Sequence, residues 1–159
     1  SAESEMRWVI AMIEAVRSVR GEMNVPAALK VDLLQVELDA AGEAAWSRNS
    51  ALIQRLARIE SVTVTAAAPK GAATITVPGG TYALPLADII DVGAEKARLE
   101  KSLQKLSKEL GGLRGRLGNP KFIDSAPEDV VEETRTLAAE KEAEEVRLKT
   151  ALARLAEVA

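Results

Sequence analysis

Apolar residues recur along this chain with two different periods, and the changes of period divide it. Met6, Val9, Ile10, Ile13 and Val16 share one helical face until Gly21 and Pro26 interrupt it, so the spacing predicts a helix from Glu5 to Glu22. Lys30 to Leu38 alternates instead, and its parity switches at Leu33 and Leu34, which marks a bulged strand. The helical period returns between Gly42 and Ile59 through Leu52, Ile53, Leu56 and Ile59. Three β-branched runs follow, Ser61 to Thr65, Ala73 to Val77 and Thr81 to Leu86. Pro78, Gly79 and Gly80 form a turn signal between the last two, so Ile75 and Val77 are expected to face Tyr82 and Leu84 across a hairpin. The order strand, helix, strand, strand, strand gives an α+β unit, a small mixed sheet covered by a helix.

After Asp91 the period is helical to the end. Leu99, Leu103, Leu106, Leu110, Leu113 and Leu117 are spaced 4, 3, 4, 3 and 4, a coiled-coil seam. Arg98, Lys101, Lys105 and Lys108 run beside it at 3, 4 and 3, so two stripes of one period stay in phase along the helix. Gly118, Asn119 and Pro120 end this helix, the first two by tolerating left-handed backbone and Pro by lacking a donor. Ser125 is the expected N-cap of the next, with Glu128 as its capping-box partner and Pro127 in the first turn. The second arm continues through Val130, Val131, Thr134, Leu137, Leu148, Leu152 and Leu155, but Lys141, Glu144 and Glu145 interrupt its apolar seam. Each arm is about 40 Å long, and the short connector makes the pair a long antiparallel helical hairpin. Gly111, Gly112 and Gly115 weaken the first arm by up to about 1 kcal/mol each relative to Ala. Either the hairpin is mobile there or the helices approach closely.

Composition narrows the chemistry. Aromatics are 3 % of the 159 residues, and there is no Cys and no His. That removes thiol nucleophiles, imidazole bases, Cys/His zinc sites and the usual serine triad, which closes the common routes to catalysis and leaves carboxylate chemistry open, with no cofactor or metal site expected. The clustered acids Glu132, Glu133, Glu142, Glu144 and Glu145 lack ligand spacing and read as a solvated face. No apolar run approaches the roughly 20 residues of a membrane span, which fits a cytoplasmic protein. The net charge of −3 hides a strong segregation: Glu95 to Lys121 holds 8 basic residues against 3 acids, and Asp124 to Ala159 holds 5 against 10. Such a pattern either draws two arms of a hairpin together or offers one basic face to a polyanion.

Three stretches together resemble the C-terminal region of bacterial valyl-tRNA synthetase. The run Arg17-Ser-Val-Arg-Gly-Glu-Met-Asn-Val-Pro26 is similar to the family's exit from its anticodon-binding helical domain. Leu84-Pro-Leu-Ala-Asp-Ile-Ile-Asp91 leading into Glu95-Lys-Ala-Arg-Leu-Glu-Lys101 is similar to the approach to its coiled coil. Leu117-Gly-Asn-Pro-Lys-Phe122 with Ala126-Pro-Glu-Asp-Val-Val131 is similar to the tip and return of that hairpin. The resemblance implies that residues 1–28 are the last helix of the anticodon-binding domain with its linker, 29–90 a small α+β domain, and 91–159 the tRNA-binding arm. It implies a class I parent enzyme that uses ATP to join valine to tRNA(Val) and edits threonine mischarging. This stretch would be non-catalytic, since the family's His-rich and Lys-Met-Ser-Lys-Ser type signatures have no counterpart here. Its partners would be tRNA(Val), held at the elbow, and the remaining domains of the synthetase, with no DNA and no membrane.

On that reading Arg98, Lys101, Lys105 and Lys108 contact tRNA phosphates, against the alternative of a flank paired with glutamates of the second arm. Arg114, Arg116 and Lys121 sit at the tip, where few acids are expected to neutralise them. Phosphate contacts position an RNA without reading its sequence. Phe122 either stacks on an unpaired base or plugs the hairpin end. Arg17 and Arg20 touch tRNA from the anticodon side, or Arg20 pairs with Glu22 or caps a carbonyl. Arg55 and Arg58 read as surface charges, and Trp8 and Trp46 as packing residues. The competing function is a non-catalytic coiled-coil module that binds another protein.

Overall fold

The computed structural model describes all 159 residues as two compact units, Ser1–Glu95 with Ala153–Ala159, and Lys96–Leu152. In the first, helix α1 (Ala2–Glu22) precedes β1 (Val31–Leu38), α2 (Ala40–Ala57), β2 (Ile59–Val64), β3 (Ala72–Val77) and β4 (Gly80–Pro85). The sheet order is β2-β1-β4-β3, with β1 and β2 parallel across α2 and the other pairs antiparallel, so the mixed α+β architecture is the expected one. The register of β1 shifts against both neighbours, next to Leu33 on one side and between Gln35 and Glu37 on the other. The core holds Met12, Val16, Leu33, Ile53, Tyr82 and Leu84, each shielded from solvent, and the Trp46 and Tyr82 rings pack 5.8 Å apart.

The β3–β4 turn is confined to Pro78 and Gly79. Gly79 takes φ +90°, and its carbonyl accepts from the Asp39 N–H at 2.8 Å. Because Gly80 already belongs to β4, Ile75 faces Tyr82 as expected, but Leu84 lies opposite Ala73 and Val77 opposite Gly80. The same turn is held from α1, where the Trp8 indole N–H donates to the Pro78 carbonyl at 2.7 Å. Asp39 caps α2 by accepting from the Gly42 N–H. Gly42 has no room for a side chain, since a Cβ there would stand 2.4 Å from the Gly79 carbonyl oxygen. The outer edge of β3 is closed by the last turn of the chain's final helix: Glu157 accepts from the Thr74 N–H at 2.8 Å, and Arg154 donates to the Thr74 carbonyl.

The second unit is built on α3 (Val92–Leu117), a short α4 (Pro120–Ser125) and α5 (Glu128–Val158). Leu99, Leu106, Leu110 and Leu113 are buried, and Leu103 and Leu117 half-buried, as the 4, 3, 4 spacing predicts. On α5 the inward row is Val131, Thr134, Ala138, Lys141, Glu145 and Leu148, and Glu144 faces solvent. Lys141 sits in this row by pairing with Glu109 at 2.7 Å, while Leu110, Leu113, Leu117 and Ala138 pack into one cluster. That hydrogen bond holds the Glu109 carboxyl below, and the Lys141 ammonium above, their ordinary pKa values.

Two details of the connector differ from expectation. Neither Gly118 nor Asn119 adopts left-handed backbone; Asn119 instead caps α4 by accepting from the Lys121 N–H, and Pro120 starts that helix. Ser125 is the last residue of α4 rather than the cap of α5, and its hydroxyl donates to the Lys121 carbonyl. The chain turns twice between the arms, so a cap visible in sequence is used by the helix on its other side.

Candidate nucleic-acid interface

The basic row of α3 follows directly from the helical period. Arg98, Lys101, Lys105 and Lys108 are all exposed on the side away from the leucine seam. Lys101, Lys105 and Lys108 take part in no ion pair, although the charge of Lys105 helps to keep Glu109 ionised. A shallow depression in the same surface runs past Lys101, Leu103, Gln104, Lys105 and Lys108. The row carries no aromatic ring, so it can meet phosphates and sugars but has nothing on which to stack a base.

Nearer the tip, Arg116 and Lys121 are exposed and unpaired. Arg114 differs from the expectation for a tip residue, because Glu142 of α5 lies 3.4 Å from its guanidinium. Both side chains are more than half exposed, so this ion pair is weak and competes with any external anion. Phe122 is half-buried. The acids of α5 do not gather into a metal site, as no group of three or more potential ligands is placed to hold an ion.

The two arginines of α1 separate. Arg17 is exposed. Arg20 is only 7 % exposed and donates to the carbonyls of Pro26, Leu29 and Arg58. It is the carbonyl cap weighed above, binding the end of α1 to the loop before β1 and to the end of α2. Burial, with the charge of Arg58 nearby, pushes its pKa below the usual arginine value. Glu22 pairs with Arg154 instead, at 2.7 Å. Arg55 and Arg58 are exposed; Arg58 adopts left-handed backbone at φ 55° and ends α2. Sequence reasoning missed the outward placement of Gly111, Gly112 and Gly115, all exposed, with nothing within 4 Å of where a Cβ would stand. Their spacing from the lysines was the available signal.

Comparison with known proteins bears on this surface. Residues 91–156 match the family described as valyl tRNA synthetase tRNA binding arm. The whole chain is similar to proteins named valine-tRNA ligase: 60 % identical over 158 residues to that of Ruegeria pomeroyi, covering 99 % of this chain and 16 % of the relative. It is 57 % identical over 159 residues to that of Cereibacter sphaeroides, covering 100 % and 16 %, and 41 % identical over 157 residues to that of Caulobacter vibrioides, covering 99 % and 17 %. The chain thus spans about a sixth of the length of the curated relatives it matches. Residues 91–156 belong to the valyl tRNA synthetase tRNA binding arm family, and the chain belongs with the C-terminal region of bacterial valyl-tRNA synthetases.

Proposed function

We propose that this chain is the tRNA-holding part of a cytoplasmic valine-tRNA ligase. Residues 91–159 act as the arm, 29–90 as a small supporting domain, and 1–28 as the last helix of an anticodon-binding domain. The parent joins valine to tRNA(Val) at the expense of ATP in domains outside this chain, and this part supplies affinity and orientation. The exposed row Lys101, Lys105 and Lys108, none of which forms an ion pair, is the observation that carries the reading. Arg98 precedes the row on the same face, Arg114, Arg116 and Lys121 add positive charge beyond its end, off the line of the row, and Arg17 is a separate contact. Arg20 acts through the fold. No helix is long and apolar enough to cross a membrane.

Each neutralised phosphate releases condensed counterions, so affinity should fall with salt by about 0.7 to 0.9 logarithmic units per contact for each decade of concentration. The test is a titration of the chain with folded tRNA and with an unstructured RNA of equal length, at two salt concentrations, for the native sequence and for Lys101→Glu/Lys105→Glu/Lys108→Glu. The native chain should prefer folded tRNA, and the reversed variant should lose affinity and lower the salt slope by about 2 to 3. Equal binding of both RNAs, or an unchanged variant, would refute the reading and return the arm to a protein-binding role.

A further inference from the structure

Two side chains at the end of α1, Glu22 and Asn24, bond to the two helices of the arm. Both of those helices reach into the first unit, α3 with residues 92–95 and α5 with residues 153–158. Leu155 and Val158 are buried there, but apolar burial is non-directional and leaves the rotation of α5 open. An ion pair fixes it. Arg154 Nε meets Glu22 Oε2 at 2.7 Å, off the straight line of the N–H bond, and both atoms are shielded from solvent with no other partner. The same guanidinium donates to the Thr74 carbonyl. Asn24 takes left-handed backbone at φ 56°, which an Asn tolerates, and its side-chain amide donates at 3.3 Å to the Glu95 carboxylate in the first turn of α3. Asn24 is exposed, so this is the weaker tie. The end of α1 thus holds both roots of the arm.

We propose that Glu22 and Asn24 are positioning residues for tRNA: they fix the roots of α3 and α5 before the RNA arrives, so that binding does not have to order them; this rests on the arm being an RNA-binding element. Neither residue has to touch RNA. The Glu22 carboxylate would repel a phosphate, and Arg154 already takes up its charge. Losing a preorganised attachment weakens the ground state and the transition state alike, which raises KM and leaves kcat in place. It also leaves the number of neutralised phosphates unchanged, and with it the salt slope.

The experiment uses the full-length parent synthetase carrying Glu22→Ala/Asn24→Gly, which removes both ties while Gly keeps the left-handed backbone. The KM for tRNA should rise about five- to tenfold, with kcat and valine activation without tRNA within about twofold of native and the salt slope of tRNA binding unchanged. Glu22→Gln alone keeps an acceptor oxygen for Arg154 and should stay within about twofold of the native KM. A native KM in the double variant, while reversal of Lys101, Lys105 and Lys108 raises it, would overturn the two ties and leave the arm reading standing. Valine activation lost in step with tRNA charging would mark a structural role only and overturn them as well. So would a lower salt slope, which belongs to a phosphate contact. If the lysine reversal also leaves KM native, the arm reading falls and this proposal falls with it.

Discussion

Replacing Arg20 by Met removes a buried guanidinium while keeping an unbranched stem of similar reach, which isolates its hydrogen bonds from its packing. The Arg58 carbonyl also accepts from Val31, and the Pro26 carbonyl from Leu29, so each keeps a backbone partner. The Leu29 carbonyl has only Arg20 and is left to solvent. The bond to Arg58 is long at 3.4 Å and adds little; the two shorter charge-assisted bonds, to Pro26 and Leu29, at about 1.5–3 kcal/mol each, less the relieved desolvation of the guanidinium, give a net loss of about 2–4 kcal/mol. Arg20→Lys keeps the charge but reaches fewer carbonyls, and should fall between. Trp8 and Trp46 both lie in the first unit, so their fluorescence in a guanidinium titration reports on that unit alone. A loss below about 1 kcal/mol for Arg20→Met would refute the clamp. So would weaker tRNA binding by the variant under conditions where it is fully folded, since the Arg20 guanidinium is buried and occupied by carbonyls.

Two further outcomes follow from the same unit. Gly42→Ala gains up to about 1 kcal/mol of helix propensity but drives a Cβ against the Gly79 carbonyl, so a net destabilisation of about 1–3 kcal/mol is expected in thermal unfolding, and a stabilised variant would contradict the close approach. Burial pushes the Tyr82 phenol up to about 12, so the unfolded chain loses this proton first as pH rises above 10. Its contribution is therefore complete below pH 10 and declines by about 1.4 kcal/mol per unit between 10 and 12, and Tyr82→Phe should abolish that slope in urea titrations at alkaline pH.

Local periodicity made most of the elements legible. The leucine spacing located the seam of α3, and Pro78 with Gly79 located the hairpin turn, because both signals reside within a few neighbouring residues. What escaped depended on contacts distant in sequence. The offset of Leu84 came from Gly80 joining the strand. Ser125 was ambiguous between two helices whose hydroxyl-accepting and donating groups compete for it. Arg20 had three possible partners until the loop after α1 and the end of α2 were brought beside it. Within the interface, the exposure of Lys101, Lys105 and Lys108 follows from the wheel alone, whereas the pairing of Arg114 with Glu142 depends on the register between two arms. That register is set by the packing of Leu110, Leu113 and Ala138, and no single segment encodes it.

The Thr74 edge of β3 is closed by the end of α5, since Ala153–Ala159 join the first unit after roughly 60 intervening residues of the second. Closing an unstructured loop of that length costs about 3.6 kcal/mol of chain entropy in its length-dependent part alone. Zipping the hairpin first shortens the effective loop, so assembly should be sequential: local helix pairing precedes capture of the strand by Glu157 and Arg154. Until that capture occurs, the edge of β3 is open to pairing with other chains. Conditions that fray the hairpin during synthesis or heating should therefore appear as β-type aggregation of the sheet, even though the affected residues lie elsewhere in the sequence.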